Sequence, residues 1–450
     1  MNILIVGNGF DLSHYLPTKY DHFMVAMNAI ENWDESKGDM GFDDLLGSLY
    51  EKEDYFFGYT KAMYKTDEIK ISIDQIKELK EKLKENVWYQ YFSDHVREVK
   101  TWIDFEVKIN EALNTLSVFL IDVKKAYDTT GDFKERIFIG KLIENQKYIL
   151  TQRQFNILSV LGLFERNNNY GRAANNKYGK DLIAGNFSIH CFIVPNNGTL
   201  GFNYLKYLQM LQEHLENFIN IFNLYLELVI SQLTPVDKFS IENADWIYPD
   251  KIFSFNYTNT YERIYDSVEV EYLHGRHGVE QNIVLGVSDL EDESLKKIKA
   301  YGFTKYHQKL FKDTDYLFLD EYKKKVKSHK LRVEYFEKDF GDGDPIAKKH
   351  GRMELMEDKS KLNLNVSIWG HSLDISDQDY IKDLFSLNDD MDRTVRITVY
   401  YFDKNAKFSL LNNLLAILGK DKVEHWMKNK WLQFKENPKI VLENAINSED

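Results

Sequence analysis

Cysteine is almost missing from this chain: Cys191 is the single one in 450 residues. That excludes a disulfide framework and any four-cysteine zinc site within one chain. Its neighbours, residues 189–194, are mostly apolar, so an inert thiol in a buried strand is expected. Proline is scarce as well, at six residues, and no low-complexity tract marks a disordered linker. No apolar run is long enough to cross a membrane. The longest, residues 218–233, is broken by Asn220, Asn223 and Glu227. No basic segment precedes the apolar residues 3–6, so no secretory signal is expected and a cytoplasmic location is. Positive charge is in deficit. With a net charge of −13, a nucleic-acid backbone is not an expected partner.

Large apolar and aromatic residues are plentiful. Hydrophobic residues make up 43% and aromatics 14% of the chain, enough for a sizeable core in two or three domains. Short β-branched runs at 3–6, 252–255, 366–369 and 395–402 read as strands buried on both faces. Weaker strand patterns lie at 272–273 and 282–287. Helical spacing runs through 18–31, 69–83, 102–119, 135–165, 203–233 and 407–447. Residues 166–181, rich in Asn and Gly, read as a surface loop. Strands separated by helices imply an α/β fold with a parallel sheet. The expected organisation is a discontinuous Rossmann-like core from 1–60, 245–290 and 361–450. It carries a large helical insertion at 61–244 and a charged insertion or lid at 291–360.

Three polar clusters follow strands, where ligands of such sheets bind. The first is Gly7-Asn8-Gly9-Phe10-Asp11-Leu12-Ser13-His14. Its glycines suit a phosphate cradle or simply a tight turn, with Asp11 or Ser13 at a ribose or capping a helix. Leu12 stands where a dinucleotide fingerprint has its third glycine. The second is Asn256-Tyr257-Thr258, with His274-Gly275 beyond it. A strand-end asparagine can hold a water or ribose hydroxyl, and a histidine can serve as base near neutral pH. The third is Gly370-His371-Ser372-Leu373-Asp374. Its Gly-x-Ser invites a nucleophile elbow with Asp403 and His425 downstream, but Asp374 would crowd the turn. The carboxylates of Asp104, Glu106, Asp374, Asp377 and Asp379 admit a metal-dependent nuclease. Spacing places Asp104 and Glu106 on different sides of a helix, and Asp377 and Asp379 read as surface or cap residues.

Taken with Leu16-Pro17-Thr18 and Trp102-Ile103-Asp104-Phe105-Glu106, these motifs resemble the AbiH family of phage abortive-infection proteins. The resemblance implies a role in anti-phage defence. A more distant likeness is to sirtuin-type NAD-consuming domains: Gly7, Gly9 and Pro17 keep their spacing, and Asn256, His274-Gly275 and Gly370-His371-Ser372-Leu373 keep their order. Sirtuins usually carry an aspartate where Thr258 stands. The lone cysteine excludes their four-cysteine zinc module, which speaks against a protein deacylase.

The implied reading is an effector that binds NAD, or a related nucleotide, as substrate and hydrolyses the nicotinamide–ribose bond. Asn256 would orient ribose or water, His274 would act as base, and Asp11 would stabilise the oxocarbenium-like transition state. Gly7, Asn8 and Gly9 would hold phosphate, with Ser13, Thr258, Gly370, His371 and Ser372 lining the nucleotide. No metal is expected. The helical insertion would sense a phage trigger or partner protein, or hold a homo-oligomer. The alternatives are a metal-dependent nuclease or nucleotide hydrolase, and a noncatalytic nucleotide-sensing module.

Overall fold

Residues 2–6 form the central strand of a six-stranded sheet. The structure is a computed structural model. It describes residues 1–94, 105–117, 119, 152–164, 192–193, 201–242, 246–265, 267–290, 292–314, 317–339, 345–390 and 394–443. The strands are β1 (Asn2–Val6), β2 (Lys251–Ser254), β3 (Glu269–Tyr272), β4 (Leu364–Trp369), β5 (Val395–Tyr401) and β6 (Leu432–Glu436). All pair in parallel, in the order β3-β2-β1-β4-β5-β6. This is the doubly wound order, and the winding reverses between β1 and β4. The expected Rossmann-like α/β fold is what the chain adopts.

Alternation along β1 explains why it sits in the centre. Ile3 and Ile5 enter one core with Phe253, Val366, Ile368 and Val399, beneath helices Gln378–Asp390, Lys404–Leu418 and Lys420–Lys428. Leu4 and Val6 face the other way, to Phe10, Ile252, Tyr261 and Trp369. A two-residue period with no polar position satisfies both faces. A third, largely helical core packs Tyr20, Phe23 and Met27 of helix Tyr20–Glu31 against Phe218, Phe222 and Tyr225 of helix Tyr204–Tyr225. Trp88, Phe92 and Phe105 complete it.

Local signals moved several boundaries. Helix Ile73–Glu85 begins at a capping box formed by Ser72 and Gln75, so Ile69 and Ile71 precede it. Residues 282–287, expected as a strand, form none; Val287 makes only an isolated bridge to Thr304. Residues 407–447 are not helical throughout. Gly419, at φ +79°, ends one helix, a second runs to Lys428, and β6 and the strand Lys439–Leu442 follow. The charged stretch holds two long helices, Asp320–Asp339 and Pro345–Ser360. The readings at 102–104, 135–151, 166–181 and Cys191 fall outside the described residues.

The turns after β1 and β4 meet backbone to backbone. The Gly7 N–H donates to the Trp369 carbonyl at 3.2 Å, and the Gly9 N–H to that of Gly370 at 2.8 Å. A Cβ on Gly7 would stand 2.6 Å from His371 Cα, one on Gly9 2.7 Å from Gly370 Cα, and one on Gly370 2.0 Å from the Phe10 nitrogen. Gly370 also has φ +75°. Gly370→Ala should therefore cost about 3 kcal/mol or more of stability in urea unfolding. Gly419→Ala, at φ +79° with nothing within 4 Å, should cost only about 1–2 kcal/mol.

Candidate active site

The segments after β1 and β2 build one buried polar group. Helix Asn8–Ser13 starts directly after β1 and turns Asp11 inward, where it is 1% exposed. The turn after β2 brings Asn256, Thr258 and Thr260, all buried. The Thr258 hydroxyl donates to Asp11 Oδ2 at 2.6 Å and accepts from Thr260 at 3.1 Å. Burial pushes the Asp11 carboxyl up to about 6, against the opposing pull of Thr258, Thr260 and the Arg263 charge. The Asn256 amide stands close enough to Asp11 to lower its pKa as a donor would, but Asp11 Oδ1 and both polar side-chain atoms of Asn256 are buried without a well-formed hydrogen bond. Each such atom left without a partner costs about 1–3 kcal/mol. Alongside lies a cleft of about 570 Å³ lined by Tyr257, Asn259, Glu262, Arg263, Tyr272 and Arg276. Asn259, Glu262 and Tyr272 also border the small cavity that reaches Asp11 and Asn256.

A second buried group gathers at the ends of β3 and β4. His274 follows β3, and Gly275 behind it, at φ +76°, makes room for the Asn282 carbonyl. Asp377 is 9% exposed, not the surface or cap residue expected. Its Oδ1 lies 3.2 Å from His274 Nε2, off the hydrogen-bond axis, and its Oδ2 lies 3.4 Å from His371 Nε2. The Leu373 N–H donates to His371 Nδ1, so that nitrogen carries no proton and Nε2–H faces Asp377. The Phe255 ring sits against both imidazoles, at 5.1 Å and 4.2 Å between centroids. Burial, aided by Lys309, pulls His274 down to about 3.

Two lysines were missed by the sequence reading, which took residues 291–360 as a charged surface. Lys305 Nζ stands 2.6 Å from Glu106 Oε1 and 3.7 Å from Asp377 Oδ1. Burial opposes its charge, but Asp377 and Glu106 outweigh that and raise its pKa above the ordinary lysine value. Glu106 is pushed up to about 7 by burial despite Lys305. Burial also brings Asp377 cost, yet Lys305 and the two histidines hold it well below the usual carboxylate range. The Lys305 ammonium thus occupies the position between two carboxylates that a metal-dependent nuclease would give to a cation.

Other predicted residues are committed to structure. Ser13 Oγ donates to the Gly9 carbonyl and accepts from Trp369 Nε1 and Asn437 Nδ2. Gly7, Gly9 and Gly370 form the seam, and the Gly7 and Gly9 N–H groups are bonded within it. Asn8 opens the short helix. Ser372 is exposed, with its carbonyl held by Asn413. No esterase triad assembles with it: Asp403 caps helix Lys404–Leu418, and exposed His425 packs on Trp431. Of the other acids, Asp374 caps the turn Ile375–Asp377 and Asp379 is exposed. Among the described residues Asp21, His22 and Glu53 bring ligand atoms within 4.8 Å of one another. Lys52 and Lys19 already pair with the two carboxylates.

A family model described as bacteriophage abortive infection AbiH matches residues 3–223 and 202–401. The chain belongs to the AbiH family. The matches take in β1, the helical body, both buried groups and the turn after β4, so the motif resemblance extends to membership. AbiH membership carries a role in abortive infection, a form of phage defence. No curated protein and no solved structure matches the chain.

Asp11 gives this AbiH protein a distinctive pH response. Between the unfolded value of 3.8 and the folded value of about 6, the native state holds the extra proton. Its stabilising effect is complete below pH 3.8 and is lost as pH rises through 6. Asp11→Asn keeps an acceptor for Thr258 and removes the buried charge. It should raise stability at pH 7.5 by about 2–3 kcal/mol, with the gain vanishing near pH 4 in denaturant titrations.

Proposed function

We propose that this AbiH protein binds NAD, or a closely related nucleotide, over Asn256 and hydrolyses its nicotinamide–ribose bond during phage defence. The observation that carries the reading is the set of buried atoms without a well-formed hydrogen bond on Asn256 and Asp11 beside the cleft. Asn256 offers one acceptor and a two-hydrogen donor, which match a ribose diol or a held water. Asp11, with its pKa near 6, is ionised at pH 7.5 and lies beside that position. A carboxylate there favours the positive charge that develops as the bond to nicotinamide breaks. Water adds at the ribose carbon, nicotinamide leaves, and the remaining proton passes to His274 or solvent. His274 is neutral across the physiological range, the form that accepts a proton. The order of the motifs, similar to that of sirtuin-type domains, supports the same substrate class.

One feature favours a second reading, binding without turnover. A histidine held at about 3 is a weak base, since a base works best with its pKa near the operating pH.

Purified protein incubated with NAD, with and without phage lysate, separates the two. Turnover predicts nicotinamide release that rises with pH through about 6 as Asp11 ionises. Asn256→Ala should lower it by about 100-fold or more. NAD binding by calorimetry, lost in Asn256→Ala, with no nicotinamide released, would establish the sensing reading. Neither binding nor release, in the presence of lysate, would remove both.

A further inference from the structure

Helix Lys305–Phe311 is built inside out. Lys305, Gln308 and Lys309 face the interior at 6%, 3% and 9% exposure, while Tyr306, Leu310 and Phe311 face outward at 41%, 66% and 80%. At 100° per residue the inward set falls on one stripe and the apolar set on the opposite one. An ordinary surface helix would be turned the other way. Two of its inward groups, and Lys312 beyond its end, have partners that justify the turn. Lys305 pairs with Glu106. Gln308 accepts from the Leu285 N–H and donates to the Leu285 and Gly302 carbonyls. Lys312, just past the helix, donates to the Ile283 carbonyl and pairs with Glu216.

Lys309 is different. Its ammonium donates to the Tyr380 hydroxyl at 2.5 Å and lies 4.5 Å from the Tyr380 ring centroid, and among the described residues no carboxylate forms an ion pair with it. It stands one helical turn from Lys305, whose neighbours are Glu106 and Asp377, the second of them shared with His274 and His371. Burial pulls its pKa down to about 8, although Asp377 and Glu106 draw it up from beyond contact distance, and a buried cation with no ion pair in contact is costly. Nearby, His274 Nε2 is buried without a well-formed hydrogen bond. Tyr380 packs on Phe255 at 5.2 Å, and Phe255 directly precedes Asn256. A chain of contacts, from Lys309 to Tyr380 to Phe255, thus leads to the residue that precedes the Asn256 amide. The glycine turn after β1, meanwhile, has the Gly7 and Gly9 N–H groups bonded to the β4 turn.

We infer that Lys309 anchors an oxyanion-binding site, filled by the pyrophosphate of the nucleotide whose ribose lies at Asn256. Lys309 supplies the counter-charge that the oxyanion needs, and the oxyanion supplies the one that Lys309 lacks. The inference deepens the nucleotide reading, and its second half rests on that reading.

The test uses thermal unfolding and calorimetry of the full chain with ADP-ribose, inorganic pyrophosphate and adenosine. ADP-ribose should bind and raise Tm. Lys309→Met should weaken it at least about tenfold, and Lys309→Arg should restore most of that loss. Without ligand, Lys309→Met should unfold at or above the wild-type temperature, because an uncompensated buried charge is removed. A structural lysine would instead lower it, and that result would overturn the inference. So would wild-type binding of either phosphate compound that Lys309→Met leaves unchanged. A Lys309-dependent shift with pyrophosphate but none with ADP-ribose supports the oxyanion site and sinks its nucleotide occupant. Equal binding of adenosine and ADP-ribose, insensitive to Lys309, keeps the nucleotide reading and removes this site. The absence of any shift with all three compounds removes both.

Discussion

The contact on which the rest depends is the glycine seam between the turns after β1 and β4. Two N–H groups of the first turn bond to two carbonyls of the second, with no side chain between them. The close approach brings the strand ends to the point where the winding of the sheet reverses. From there, helix Asn8–Ser13 carries Asp11 to one buried group, and the turn after Gly370 carries His371 and Asp377 to another. Ser13 ties the arrangement together by bonding Gly9, Trp369 and Asn437 at once. A glycine turn after a strand is usually weighed as a phosphate loop. Here packing accounts for its glycines, and the polar atoms without a well-formed hydrogen bond lie elsewhere.

Asn256 sits where the two buried groups meet. Thr258, two residues on, belongs to Asp11. Phe255, one residue back, belongs to His274 and His371. The two groups differ in electrostatics. Asp11 is a lone carboxylate against hydroxyls and an amide, so burial dominates and its proton is held to about pH 6. Asp377 is also buried, but Lys305 and two imidazoles surround it, and it stays ionised. Two aspartates at neighbouring strand ends thus respond oppositely to desolvation, because one has a lysine ammonium and imidazole N–H groups beside it and the other chiefly hydroxyls.

Much of the fold was legible because it is local. The apolar runs at 3–6, 252–255 and 366–369 are strands almost wholly buried, and the run from 395 is a strand that alternates buried residues with exposed or half-buried ones. Helix 18–31 and the long helix from 203 show their stripes in the same way. The sixth strand was not legible as such: Leu432 to Glu436 follows two helices and carries only a short alternation. Residues 282–287 carry the apolar character of a strand, but Gln308 takes up the backbone groups of Leu285 that a neighbouring strand would otherwise bond. Asp377 looked like a cap because Asp374, three residues before it, is one. Lys305 and Lys309 looked like surface charge because a sequence shows that a helix has two faces and does not show which one is inside.

By itself, then, the sequence determined the parallel α/β core, the three strand-end clusters and the family resemblance, since each rests on residue type and short-range spacing. Only the tertiary structure decided which cluster members share a site. It joined Asp11 to Asn256 and Thr258, and His274 to His371 and Asp377, and turned two lysines inward between them. Those pairings span up to roughly 250 positions of chain, as Thr258 to Asp11 does. Their energies depend on burial and on the charges in contact, quantities that come into being only when distant strands are brought side by side.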